Sequence, residues 1–205
     1  MRRLISAGLA PRVAPALSLL LALGLPSIAS AHPHVFIDNR VTFLFAGGKI
    51  VGFRENWVFD EIFSDELLGD FDKDGDGRLS KAESDGVAAG TMPNMDEYRY
   101  FTYVWVDHKD LGKIKPTDFH ASAKDKLVTF DFLIMLPKPV DPLKQDFAVE
   151  INDRTYFVEV LLAKDNPIKL EGLKEFACEP VVTMDKKNAY YGGYVIPEQI
   201  KLTCK

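Results

Sequence analysis

The chain has 205 residues, with 30 acidic against 25 basic side chains and a formal charge of −5. That balance excludes the basic footprint of a nucleic-acid or anionic-lipid binder and leaves divalent cations as compatible partners. Its only two cysteines, Cys178 and Cys204, lack the spacing of a CxxC redox or zinc site and fit one disulfide in an oxidising compartment.

Residues 1–31 read as a secretory signal peptide. Arg2, Arg3 and Arg12 make a positive start, residues 16–25 an apolar run, and Ala29, Ser30 and Ala31 a small-residue cleavage site. The run is shorter than the roughly 20 residues a spanning helix needs, and no later stretch is apolar enough to span. The expectation is a periplasmic chain cleaved after Ala31, with no membrane insertion. Removing the leader takes away three arginines and no acid, so the mature chain is more acidic still.

Residues 35–45 alternate Val35, Ile37, Asn39, Val41, Phe43 and Phe45 with polar neighbours, the period-two pattern of a half-buried strand. A second strand carries Val51, Phe53, Trp57 and Phe59 on one face. A loop of the two glycines alone would set these apolar residues against Gly52 and Arg54. A three-residue loop, Ala46, Gly47 and Gly48, keeps one face apolar by pairing Phe43 with Val51 and Ile37 with Trp57. Continued outward, that register sets His34 opposite Asp60.

Asp60 suits a helix N-cap and Glu61 a first turn, and Phe63, Leu67, Leu68 and Phe71 form an apolar stripe behind them. The stripe runs into residues 72–83, which match the twelve-position EF-hand calcium loop, with carboxylates at positions 1, 3, 5 and 12 and glycine at 6. A hard cation takes six to eight oxygens at roughly 2.4 Å. Here Asp72, Asp74, Asp76, the Arg78 carbonyl, a water under Ser80 and a bidentate Glu83 would supply them. The exit helix, residues 81–89, is weakened by Gly86 and Gly90 and stopped by Pro93. An isolated loop with a poor exit helix predicts weak binding.

Strand signals resume at residues 98–106, 119–123 and 127–136, before Pro137, Pro139 and Pro142 break the chain. Residues 147–151 and 156–162 read as a hairpin across 152–154, and residues 168–170 and 176–183 as shorter strands. The expected fold is mainly β: a β-sandwich of about seven to nine strands with an inserted EF-hand-like helix-loop-helix. The expected division is a signal peptide at 1–31, the sandwich at 32–183 with the insertion near 60–92, and a tail at 184–205 without periodicity.

The segments His32-Pro33-His34-Val35-Phe36-Ile37-Asp38, Trp57-Val58-Phe59-Asp60-Glu61, the loop, Tyr100-Phe101-Thr102-Tyr103 and Thr155-Tyr156-Phe157-Val158 resemble a bacterial family of unknown function. Its members are labelled as the periplasmic component of an ABC-type transport system. The resemblance implies a periplasmic location and an association with transport, often of nickel, cobalt or zinc. This chain carries Asp153-Arg154 where the family has Asp-Pro before Thr-Tyr.

Cleavage after Ala31 would make His32 the N-terminus, where an α-amine and an imidazole can chelate one metal. His34 lies on the same strand face two residues on. Pro33 has no amide proton to lose, which disfavours a square-planar site that needs one. The remaining set, His32, His34 and the carboxylate of Asp60 or Glu61, suits zinc, nickel, cobalt or copper. His108 reads as part of a solvated turn. His120 could join the set only if the sheet carried it to His34.

No G-x-S-x-G or H-E-x-x-H motif marks a hydrolase, so the chain is expected not to be an enzyme. The expected function is an exported calcium-binding accessory protein of metal-ion transport or homeostasis, working with an inner-membrane metal permease. The alternatives are a copper-dependent oxidative enzyme with an N-terminal His brace and a calcium-stabilised interaction domain.

Overall fold

The computed structural model describes residues 33–205; the leader at 1–31 and His32 fall outside them. In chain order the elements are β1 (Val35–Ala46), β2 (Lys49–Phe59), α1 (Glu61–Phe71), α2 (Lys81–Met95), β3 (Thr102–Val106), β4 (Lys109–Asp110), β5 (Thr117–Lys124), β6 (Leu127–Val140), β7 (Phe147–Ile151), β8 (Val158–Leu162), β9 (Ile168–Glu171), β10 (Cys178–Met184) and β11 (Glu198–Cys204). The strands form two sheets, ordered β5-β6-β2-β1-β8 and β10-β11-β7-β3-β4, with β9 adding to β1.

The alternation along β1 is realised in full: Val35, Ile37, Asn39, Val41, Phe43 and Phe45 are all buried. The register differs by two residues from the expected one. Ile37 faces Phe59, Phe43 faces Phe53 and Phe45 faces Ile50. The turn is Gly47 and Gly48 alone, with φ of 56° and 70°, the left-handed pair that a two-residue hairpin turn requires. The ladder slips between Leu44 and Phe45, leaving Val51 as the extra residue of a β-bulge. The bulge restores the parity that a two-residue turn would otherwise invert.

β6 runs through Pro137 and Pro139 to Val140, where the sequence predicts a break. Its pairing with β2 skips from Met135 to Val140, so both prolines fall where no ladder N–H is needed. Gly52 sits at that skip. A Cβ there would lie 2.5 Å from the Ile134 carbonyl oxygen, so only glycine admits the two backbones this close.

The two sheets are sandwich-like, contributing their inner residues to one core. Val41, Phe43, Trp57 and Phe132 from the first meet Val104, Phe147, Val149 and Ile200 from the second. Phe43 packs edge-on to Phe147 with centroids 5.8 Å apart, and Trp57 stacks on Phe101 at 5.6 Å. Burying each such side chain contributes roughly 1.5–3 kcal/mol.

Three further segments depart from the sequence reading. Residues 98–101 are not strand: Arg99, Tyr100 and Phe101 have φ of 59°, 52° and 55°. The Arg99 guanidinium holds Asp110 through both its oxygens, at 2.9 and 2.7 Å, and the Tyr100 hydroxyl donates to Asp96 at 3.0 Å. Tertiary bonds of this kind override strand propensity. The expected 147–162 hairpin is a crossing between sheets instead, since β7 pairs with β3 and β11 while β8 pairs parallel to β1. Asp153 makes the crossing turn, accepting the N–H groups of Thr155, Phe157 and Val158 at 2.8, 3.1 and 3.0 Å. Finally, the segment beyond residue 184 supplies β11, an internal strand of the second sheet. Cys178 and Cys204 face each other across β10 and β11 and are joined by a disulfide. Among the described residues no helix is long and apolar enough to cross a membrane.

Candidate metal centre

Asp60 caps α1 as its sequence position predicts, accepting the Phe63 N–H at Oδ1, 3.0 Å away. Its Oδ2 accepts the Phe36 N–H at 2.8 Å, and the Asp60 N–H donates to the Phe36 carbonyl at 3.0 Å. Phe36, not His34, therefore faces Asp60, the consequence of the bulge at Val51. Both Asp60 oxygens serve the backbone. The His34 N–H donates to the Phe157 carbonyl at 2.8 Å, and its ring lies 4.8 Å from that of Phe157.

α1 buries Leu67, with Phe63, Leu68 and Phe71 packed against the core. α2 starts at Ser80, whose Oγ accepts the Glu83 N–H while Glu83 accepts the Ser80 N–H, a capping box. α2 runs to Met95, through Pro93 where the sequence predicts a stop, and Gly90 serves packing. A Cβ on Gly90 would come within 2.9 Å of the Phe71 ring, so the bare position lets the end of α1 lie against α2.

Two serines latch the helices to the first sheet, and sequence periodicity did not single them out. Ser64 Oγ on α1 accepts the Val128 N–H at 2.9 Å, and Ser84 Oγ on α2 accepts the Ala121 N–H at 2.8 Å. Each is a small polar residue on a helix face that turns out to be buried.

Between these docked helices, the carboxylates of Asp72, Asp74 and Asp76 each offer an oxygen within 4.8 Å of the others. The loop is wound around them. Asp72 accepts the N–H groups of Gly75 and Gly77, both at 2.8 Å, and Asp76 accepts that of Arg78 at 2.8 Å. Gly75 and Gly77 take φ of 73° and 76°, the left-handed turns their lack of Cβ permits. Leu79 anchors the loop in the core at 8% exposure.

Glu83 stands outside that group of three and ties the loop through the backbone. Its Oε1 accepts the Lys73 N–H at 2.7 Å and its Oε2 the Ser80 N–H at 2.8 Å. Bonds from the Ser80 side chain, then from the Ser80 and Lys73 backbone, hold its carboxyl down at about 2. Asp74 sits above its ordinary value. The Asp76 N–H favours its anion, but repulsion from Asp76 and Glu83, with partial desolvation, outweighs that bond. A cation would relieve that repulsion. Asp72, Asp74 and Asp76 form the group of three possible ligands found among the described residues; His34 and Asp60 belong to none.

The remaining histidines are apart. His108 sits at φ 63° in an exposed turn, its Nε2 3.1 Å from Asp146. His120, exposed on β5, has Nδ1 3.4 Å from Ser84 Oγ. β6 and β2 intervene between β5 and β1, so the sheet sets β5, which carries His120, about 14 Å from β1, which starts just after His34.

Among the described residues, Glu55 and Glu150 are buried away from the loop, as is the turn residue Asp153. Glu55, fully buried on β2, accepts the Trp57 indole N–H at 2.7 Å and has Thr102 Oγ1 at 2.8 Å. Burial pushes its carboxyl up to about 7. Glu150, fully buried on β7, accepts from Gln199 at 3.0 Å and from Arg154 at 3.3 Å. Burial, then neighbouring Asp185, raises it to about 7. The signal for Glu55 was present in the sequence, a charged residue between Phe53 and Trp57 on an apolar face.

A family model described as a protein of unknown function, DUF1007, matches residues 17–194. The chain is similar to an uncharacterized 15.5 kDa protein in the trpE 3′ region of Spirochaeta aurantia. The two are 31% identical over 137 residues, covering 67% of this chain and 97% of that one. It is also similar to an uncharacterized protein of Haemophilus influenzae, 26% identical over 160 residues and covering 77% and 76% of the two.

Proposed function

We propose a function for a chain that belongs to the DUF1007 family of proteins of unknown function: an exported calcium-binding accessory protein of metal-ion transport or homeostasis. The observation that carries the reading is the loop between α1 and α2. Its three aspartates converge within 4.8 Å in the one-three-five spacing of an EF-hand, with Glu83 at position 12. The donor set is all oxygen, which fits a hard cation such as calcium. Asp72, Asp74, Asp76, the Arg78 carbonyl, a water under Ser80 and Glu83 would hold the ion.

Periplasmic location rests on the leader pattern and the Cys178–Cys204 disulfide. The transport role, beside an inner-membrane metal permease, rests on the family resemblance. Capture of nickel, cobalt, zinc or copper falls to His32 and His34, with Asp60 as the carboxylate partner; each Asp60 oxygen accepts one backbone N–H and keeps a lone pair for an ion. Native mass spectrometry of the chain lacking residues 1–31 tests this half of the proposal: one bound transition-metal ion is expected, and none at micromolar excess overturns it.

The calcium half is tested by thermal unfolding. A ligand at ten times its Kd stabilises by about 1.4 kcal/mol, which raises the midpoint of a chain this size by about 3–6 °C. Asp72→Ala should abolish the calcium-dependent rise. A melting curve of the parent indifferent to millimolar calcium overturns the reading.

A further inference from the structure

Two buried side chains far in sequence from the calcium loop have no hydrogen-bond partner. Asn39 is 1% exposed and Asn152 4%, and both the oxygen and the nitrogen of each side-chain amide lack a partner among the described residues. Folded chains pair nearly all such atoms, because a buried amide has given up its bonds to water. Asn39 occupies an inner-face position of β1 between Ile37 and Val41, where an apolar residue would remove the defect. Asn152 follows β7, its own N–H donating to the Phe101 carbonyl at 2.7 Å. The sequence brings the defects from opposite sheets.

Both asparagines line one cavity of about 240 Å³, together with apolar residues such as Ile200 and with Tyr190, Glu159 and Glu198. The volume is below the roughly 300–1,000 Å³ of pockets for drug-sized ligands, so an occupant is small. Four unpaired amide atoms, two donors and two acceptors, call for a group that both donates and accepts. The acids set the sign of the charge. Tyr190 is raised to about 12, first by burial, then by Asp153, Tyr156 and Glu159, with the Arg154 guanidinium opposing them. The lining itself carries two carboxylates, Glu159 and Glu198, and no lysine or arginine, a balance that attracts cations and repels carboxylates and phosphates.

The geometry points to a binding site for a small cationic solute bearing an amide, of the size of an amino-acid amide. Asn39 and Asn152 pair with its amide, and its ammonium lies toward Glu159 and Glu198. The site goes beyond the calcium reading and uses none of the loop residues.

The test is a titration of the isotopically labelled chain with L-leucinamide, in chelator-containing buffer, followed through the side-chain NH₂ resonances of Asn39 and Asn152. Saturable shifts of both resonances at millimolar ligand are expected. Acetamide and n-butylamine, each carrying half of the recognised chemistry, should bind at least about tenfold more weakly. Asn39→Leu and Asn152→Leu, close in size and free of the polar defect, should each weaken leucinamide binding by at least about tenfold in chain that keeps its methyl spectrum. If either variant fails to fold, the titration of the parent decides. Unmoved Asn39 and Asn152 resonances overturn the proposal, as do shifts confined to the surface. Cross-peaks from both amides to bound water that leucinamide does not displace also overturn it, since the cavity is then a hydrated void. The chelator removes calcium throughout, so failure here leaves the calcium reading untouched, and calcium indifference leaves this one.

Discussion

Glu83 accepts the amide hydrogen of Lys73 at 2.7 Å, so the last carboxylate of the loop is bonded to its second residue. With the Ser80 N–H on the other oxygen, one side chain draws both ends of the loop together. The same carboxylate is the expected bidentate ligand, and an ion must compete with these bonds for it. This favours weak affinity.

The bonds to Glu83 favour its anion, so its depressed carboxyl stabilises the fold above the ordinary carboxylate range near 4.5, and the contribution is lost as pH falls toward about 2. In calcium-free buffer, Glu83→Gln should lower the melting temperature near neutrality. The gap from the parent should close as the pH drops to about 2. A gap independent of pH would show that the charge of Glu83 does not act through these bonds.

Glu55 has the opposite sign. Thr102 Oγ1 carries one proton yet lies 2.8 Å from Glu55 Oε1 and 2.9 Å from the Tyr100 carbonyl. A neutral Glu55 satisfies both contacts by donating to Thr102, which donates to Tyr100. With a folded value of about 7, its contribution is full below about 4.5 and lost as pH rises through 7, about 3 kcal/mol in all. Glu150, also raised to about 7, adds a second such loss. Glu55→Gln keeps a donor for Thr102 and an acceptor for Trp57. Urea denaturation should show its stability exceeding the parent's at pH 8 and the slope between pH 4.5 and 7 roughly halved. An unchanged slope would mean that Glu55 is ionised in the fold.

The serine latches tie the helix pair to the sheet. Ser84→Ala leaves the Ala121 N–H buried without its acceptor, at a cost of about 1–3 kcal/mol. Hydrogen exchange should accelerate at Ala121, while amides of β3 and β7 in the second sheet change only by the global loss. Exchange rising equally everywhere would contradict a local latch.

How much of this was legible in the chain depends on the length scale of the signal. The burial of alternate β1 residues and the Asp60 cap are local patterns and were readable. The β1–β2 register was not, because a two-residue turn with a bulge at Val51 preserves the same parity as a three-residue turn. α2 is underestimated by propensity, since Gly86 and Gly90 weaken a helix in isolation while Gly90 admits Phe71 in the fold. The crossing after β7 reads as a hairpin turn, because only tertiary structure shows Asp153 gathering three N–H groups into it. At the loop, the aspartate spacing announced the cluster, but the Glu83–Lys73 bond joins residues ten apart and has no sequence signature. Asn39 was visible as a polar residue on an apolar strand face. Asn152 follows a strand from the other sheet, and nothing in the sequence connects the two.

The central claim is most directly tested by isothermal titration of calcium into calcium-free chain lacking residues 1–31. One site is predicted, with a Kd of about 10⁻⁴–10⁻³ M, lost in Asp72→Ala and in Asp76→Ala while both variants stay folded. Absence of saturable binding at millimolar calcium, or binding unchanged by Asp72→Ala, would contradict it.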